Sequence, residues 1–377
     1  MSEYQYIAFR AVDSPVSEKN LEYMRQQSSR AEITPWSFDN EYQYGDFRGD
    51  AVEMLRRGYD LHLHYANFGI RKLLIRLPHG PPDVNAAKLY LGEDLVQFLR
   101  DKQGQGGTLS IEPYHEPGEL EELWEFDNLL HRLVPLRAEI LDGDLRPLYL
   151  AHLAIACDGN HDPEGTKEAP IPAGLDKLSD AQRALMELYG LSDSLIAAAA
   201  QDSPPLKAMT DRGTPHAQWL RGQPEASKDA WLAQWMSDPH SNARREILAE
   251  FRKSHKTPLW PTVVRHRTIA ELKMIAQEIQ HQTDREKAAN AARQRAKRLA
   301  QMAADPDRTL RKTEELVTQR SGESYCQIAT LLAELRDVLA GSEQSGLAEQ
   351  QAQKLKSKNP TLHLLTRELR RQGFVRK

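Results

Sequence analysis

From Thr262 to Ala304 the chain carries neither glycine nor proline, and no other property of the sequence limits its fold so strongly. A single helix over this stretch would be about 60 Å long at 1.5 Å rise per residue. Its first half places Ile269, Leu272, Ile275, Ala276 and Ile279 on one stripe, the pattern of a buried helix face. Its second half, "DREKAANAARQRAKRLAQMAA", replaces that stripe with alanines and basic residues. The helix is therefore expected to leave the body of the protein, or to lie only shallowly against it.

That second half also holds the best binding candidates, Arg293, Arg295, Lys297 and Arg298. On a helix Arg293 and Lys297 are four apart and Arg295 and Arg298 three apart, so the charges spread over more than one face. Contacts from such residues to phosphate would release counterions and give salt-dependent affinity without reading bases. They could equally meet an acidic protein surface, including the Glu-rich segment of this same chain, or form a solvated helix face that binds nothing in particular.

Around the long run the chain falls into segments. "TPLWP" brackets a break near residue 260, since a helix cannot pass through both prolines. Beyond the run, "DPDRTLRKTEELVTQRSGESYCQIATLLAELRDVL" reads as two helices split by "SGES", with Tyr325, Ile328, Leu332 and Leu335 as a second stripe, and "PTLHLLTRELRRQGF" as a short basic helix. Before it, from about Leu129, strand signals vanish. "LLHRLVPLRAEILDGDLRPLYLAHLAIACDG" suggests two helices broken at Gly143 and Pro147. "SDAQRALMELYGL" and "SDSLIAAAAQD" each start with a serine able to cap a helix, and "WLAQWM" stacks Trp231 over Trp235 on one helix face. No repeat recurs at a fixed tetratricopeptide-like period.

The first 112 residues differ. "YQYIAFRAV", "EITPWSFDNEYQYGDF", "IRKLLIRLP" and "GTLSIEP" are strand-like, and "SPVSEKNLEYMRQQSSR" and the first half of "GDAVEMLRRGYDLHLHYANFG" are helix-like. The order suggests a small sheet with two helices, an α+β domain for which a ferredoxin-like topology is one arrangement. The expected fold class is thus an α+β N-terminal domain followed by a mainly α-helical region with a long helix and helical hairpins. Its domains would be residues 1–128, a helical domain over 129–260, and the long basic helix with a C-terminal hairpin over 261–377.

A chain of 377 residues with 40% hydrophobic and 28% charged residues and mean hydropathy −0.64 has the make-up of a soluble globular protein of two or three domains. Its longest apolar run, "SLIAAAA", is too short to cross a bilayer, and the start "MSEYQYIAFRAVD" lacks the basic and apolar parts of a signal peptide, so a cytoplasmic location is expected. Cys157 and Cys326, far apart among apolar neighbours, read as buried thiols. The net charge of −4 exerts no global pull towards nucleic acid, but charge is segregated. Ser110 to Leu130 holds seven acidic residues and no Lys or Arg, which reads as an exposed loop, whereas the last 27 residues carry eight basic residues against Glu368 alone.

Potential chemistry is sparse. "DLHLH" presents Asp60, His62 and His64; on a strand both imidazoles would face one way, as zinc needs, but no further ligand cluster lies close in sequence. The favoured reading is a helix C-terminus, where histidines meet the negative end of the dipole, and no metal or other cofactor is expected. Phosphate-cradling, dinucleotide, nucleophile-elbow and zincin motifs are all missing from the sequence, and "GQGGT" reads as a turn. Asp46 and Asp50 could do acid–base work but read more simply as turn and cap residues. Arg30, Asn67 and Arg76 sit at element ends, where they could line a polar groove or simply pair locally.

"YQYIAFRAVDSPVS", "SSRAEITPWSFDNEYQYGDFRGD", "YDLHLHYANFGIRKLLIRLP", "LVPLRAEILDGDLRPLYLAHL" and "SPPL" resemble a family of bacterial hypothetical proteins with no assigned activity, over most of the chain. The resemblance implies a bacterial origin. It also implies an aromatic residue at the position of His64, so a two-histidine metal site would not be a family feature. The function expected from all this is a non-enzymatic scaffold or adaptor that binds a protein partner through its helical region. A nucleic-acid-binding accessory protein is the first alternative, and an enzyme whose site assembles in the N-terminal domain is the second.

Overall fold

Neighbouring residues along a strand point to opposite faces of a sheet, so "QYIAFR" can serve two cores at once. In the computed structural model this strand, β1 (Gln5–Arg10), gives Ile7 and Phe9 to one core and Tyr6 and Ala8 to another. The structure describes residues 4–375 apart from 44, 93–94, 115–125, 159–160, 207–213, 238–242 and 255–258.

β1 belongs to a seven-stranded sheet with β2 (Glu32–Ile33), β3 (Ser37–Tyr42), β4 (Leu61–Ala66), β5 (Ile70–Leu77), β6 (Val96–Arg100) and β7 (Gly107–Ile111). The order is β2-β3-β1-β4-β5-β7-β6 and every pairing is antiparallel. Two strands are ones the sequence pattern did not single out. β4 is "LHLHYA", expected to be the tail of a helix; Gly58, at φ 151°, ends the preceding helix and frees the chain to pair. β6 is short and turns into β7 through the glycine-rich stretch, where a side chain on Gly106 would sit 2.5 Å from the Pro78 carbonyl oxygen.

One face of the sheet is covered by α1 (Glu18–Gln27) and α2 (Ala51–Arg57), through Leu21, Met24, Met54 and Leu55. A short α3 (Val84–Lys88) precedes β6. The opposite face packs on α4 (Phe126–Leu133), α5 (Leu136–Leu141), α6 (Arg146–Ala156), α7 (Asp180–Tyr189) and α8 (Asp193–Ala200). Between Leu129 and Cys157 the sequence thus holds three helices where two were expected, because the chain also breaks at Val134–Pro135, with Pro135 at the start of α5, while Pro147 lies in the first turn of α6, where its missing N–H costs nothing. Ser179 and Ser192 do cap α7 and α8, the former within a full capping box.

The helical region contains one short ribbon that its sequence did not signal. β8 (Ile171–Pro172) pairs with β9 (Thr262–Val263), two residues each, and Trp260 anchors the approach by donating its indole N–H to the Ala173 carbonyl at 3.2 Å. α9 (Thr214–Arg221), α10 (Glu225–Ser237) and α11 (Ala243–Ser254) lie between.

The long helix, α12 (Ile269–Ala304), begins later than Thr262 because Thr268 and Glu271 close a capping box: the Glu271 N–H donates to Thr268 Oγ1 at 3.2 Å and the Thr268 N–H to Glu271 Oε2 at 2.8 Å. The chain divides into two units, Met1–Gln280 and His281–Lys377, so the division falls inside this helix. Ile269, Leu272 and Ala276 belong to the core of the first unit and Met302 to that of the second, while between His281 and Arg298 every side chain is exposed except half-buried Thr283. The second unit adds α13 (Pro306–Thr318), α14 (Gly322–Val338), α15 (Leu347–Lys358) and α16 (His363–Arg371), packed around Tyr325, Ile328, Leu332 and Leu335. The protein is therefore an α+β unit extended by helices, then a long helix and helical hairpins.

Candidate functional site

The "DLHLH" residues are accounted for by structure. Because β4 is a strand, His62 and His64 do share a face, with ring centroids 6.3 Å apart. His62 is buried, stacked on Phe9 at 4.1 Å, with its Nδ1 3.1 Å from the Ala8 carbonyl oxygen; His64 Nε2 lies 3.0 Å from Gln5 Oε1. Burial pushes the His62 pKa down to about 3 and that of His64 to about 4, with neighbouring His64 and Lys72 respectively adding to the effect. Asp60 faces elsewhere: its Oδ2 accepts from the Val12 N–H at 2.7 Å and its Oδ1 pairs with buried Arg137 at 2.9 Å. Among the described residues no group of three potential metal ligands gathers anywhere.

Arg30, Asn67 and Arg76 are dispersed. Arg30 is exposed on the turn after α1, its N–H donating to Ser28 Oγ at 3.2 Å. Asn67 Oδ1 accepts from the Tyr4 N–H at 3.0 Å in the turn beyond β4, while Arg76, near the far end of β5, donates to Asp101 Oδ2 at 2.6 Å and the Gly107 carbonyl at 2.8 Å. The register of the β4–β5 hairpin puts these last two residues at opposite ends of it. Asp50 caps α2, accepting from the Glu53 N–H at 2.9 Å, and Asp46 Oδ1 accepts from Gln5 Nε2 at 3.0 Å. The acidic stretch after Glu112 lies for the most part outside the described residues.

Arg293, Arg295, Lys297 and Arg298 all lie on the exposed length of α12. Arg298 forms an ion pair with Glu334 of α14, and the other three make no ion pair with any described residue. The expectation of two buried thiols needs correction: Cys157 is half-buried, its pKa raised to about 11 by burial, but Cys326 is exposed on the outer face of α14.

A surface that sequence reading only touched is formed by α9 to α11. Trp219 and Trp231 stack at 5.8 Å and His216 stacks on Phe251 at 4.1 Å, which holds the three helices together. Trp235, expected to share the fate of Trp231, instead faces solvent. It is 61% exposed, flanked by Leu232 at 55% and Met236 at 78%, and α10 buries none of its residues. Positions 232, 235 and 236 are spaced i, i+3, i+4 and so form one apolar stripe. The signal that could have found it was the absence of any second apolar stripe in "EASKDAWLAQWMS" to pack inward.

No family profile, no curated protein and no solved structure matches the chain. None of the described helices is long and apolar enough to cross a membrane.

Proposed function

We propose that the protein is a non-enzymatic scaffold or adaptor that docks a partner protein on its helical region, with α10 as the docking helix. The observation that carries this reading is the uncovered stripe of Leu232, Trp235 and Met236. Large apolar side chains held in water are worth roughly 25 cal/mol per Å² once covered, and tryptophan and methionine are enriched at the centres of protein interfaces. The matching occupant is an amphipathic helix that lays its own i, i+3, i+4 residues along the stripe. A cytoplasmic setting belongs to the proposal, supported by two free thiols that no disulfide joins.

A photo-crosslinking residue at Leu232, introduced in the native host, tests this. The expected outcome is one dominant cross-linked partner, missing when the probe sits at exposed Lys356 and lost when Trp235→Glu and Met236→Glu accompany it. Equal capture at both positions, or none at Leu232, sinks the reading.

A second reading, a nucleic-acid-binding accessory protein, draws on a different observation. Residues 281–377 hold 19 Lys and Arg against 12 Asp and Glu, and the richest basic run lies on the exposed part of α12.

A further inference from the structure

A crevice of about 860 Å³ opens in the first unit, within the size range of small-molecule sites. Its lining comes from places far apart in sequence: Arg71 of β5, the C-terminal end of α6, the α7–α8 turn and one face of α12. Two of its groups are cationic. Arg71 is buried, with one guanidinium nitrogen donating to the Leu188 carbonyl at 2.8 Å, and Lys273 donates one ammonium proton to the Cys157 carbonyl at 3.3 Å. An ammonium has three protons to give, so that contact leaves Lys273 with further donor capacity.

The remaining polar lining is biased the same way. Gln277 follows Lys273 by one turn of α12, and Ser192 and Ser194 bring the N-terminus of α8 to the lining, its partial positive charge offset in part by Asp193, which lies outside the lining. Asp158 is the one carboxylate among the described lining residues, and it is engaged: Oδ1 lies 2.7 Å from His161 Nδ1 and Oδ2 accepts from the Tyr114 N–H at 3.4 Å. Leu191, Leu195 and Ala276 supply an apolar wall. Each cation has an ordinary structural task at a helix C-terminus, but those tasks do not require a crevice beside them.

We infer that this crevice binds a small organic anion, a carboxylate or phosphate monoester on a short apolar body, with Lys273 and Arg71 opposing the charge and Leu191, Leu195 and Ala276 covering the body. The site is independent of the docking helix, and either can fail alone.

Titration calorimetry on the full chain tests it with three probes: 4-phenylbutyrate, phenyl phosphate and neutral 4-phenylbutanol. Binding of at least one anion is expected, with the alcohol at least tenfold weaker; which anion binds separates carboxylate from phosphate. Lys273→Met should weaken the anion at least tenfold. Since that change also removes a bond to α6, Gln277→Glu at an exposed position is the second variant, expected to weaken the same anion several-fold with an unchanged melting temperature. No binding of either anion, equal binding of the alcohol, or full affinity in Gln277→Glu overturns the inference.

Discussion

At the residue scale, His62 and His64 make the fold sensitive to acid. Their pKa values, lowered to about 3 and about 4 by burial, lie below the 6.5 expected in an unfolded chain. Above pH 6.5 both are neutral in either state and the full stability is present. As pH falls below 6.5 the unfolded chain takes up protons that the folded one refuses, so stability declines through the window down to about 4, where His64 itself titrates. Each refused proton costs about 1.4 kcal/mol per pH unit at most. His64→Gln, at a half-buried position, should therefore melt less steeply with falling pH than the wild type between pH 6.5 and 4. Melting curves across that range check it, and parallel slopes would show that His64 takes up its proton as readily in the fold as in the unfolded chain. What made the pair look like a metal site, two imidazoles on one strand face, is real; their hydrogen-bonding to Ala8 and Gln5 was beyond the sequence because β1 lies more than 50 residues away.

At the scale of elements, α12 depends on where it starts. Thr268→Ala removes the Oγ1 that accepts from Glu271 and should cost about 1 kcal/mol in denaturant unfolding, whereas Thr268→Ser keeps the oxygen and should cost much less. Equal losses in both variants would assign the effect to packing of the threonine methyl. Elements with strong local signals were legible in this way: β1, β5 and β7 from their branched and aromatic runs, α7 and α8 from Ser-Asp starts, and the α14 stripe from its spacing. Those settled by distant partners were not. β4 carries histidines that weaken its alternation, and β8 with β9 exists because Ile171 meets Val263 across 92 positions. Cys326 shows the limit of local reading, since apolar neighbours on a helix include residues of opposite faces, and Tyr325, Ile328 and Ala329 turn inward while Cys326 does not. For the same reason the α10 stripe and the Arg71–Lys273 crevice emerge only once the faces are known.

For the molecule as a whole, the formal charge of −4 conceals two opposite halves: residues 1–280 hold 31 basic against 42 acidic residues, and residues 281–377 hold 19 against 12. An overall anionic protein can therefore meet a polyanion through one part of its surface. Arg298 is already paired with Glu334, which leaves Arg293, Arg295 and Lys297 of the α12 cluster to contact phosphates. With three phosphates neutralised on duplex DNA, the logarithm of affinity should fall with a slope of about −2.7 against the logarithm of salt, so that raising salt from 50 to 200 mM weakens binding about forty-fold. No base is read by such contacts, so unrelated duplexes should bind alike. Fluorescence anisotropy with two duplexes at both salt concentrations measures all of this, and Arg293→Ala with Arg295→Ala and Lys297→Ala should remove most of the slope. If the wild type stays unbound at 50 mM, the acidic half repels DNA more strongly than α12 attracts it, and the nucleic-acid reading falls. If binding is present but the triple variant retains the full slope, the contact surface lies among the basic residues of α15 and α16 instead.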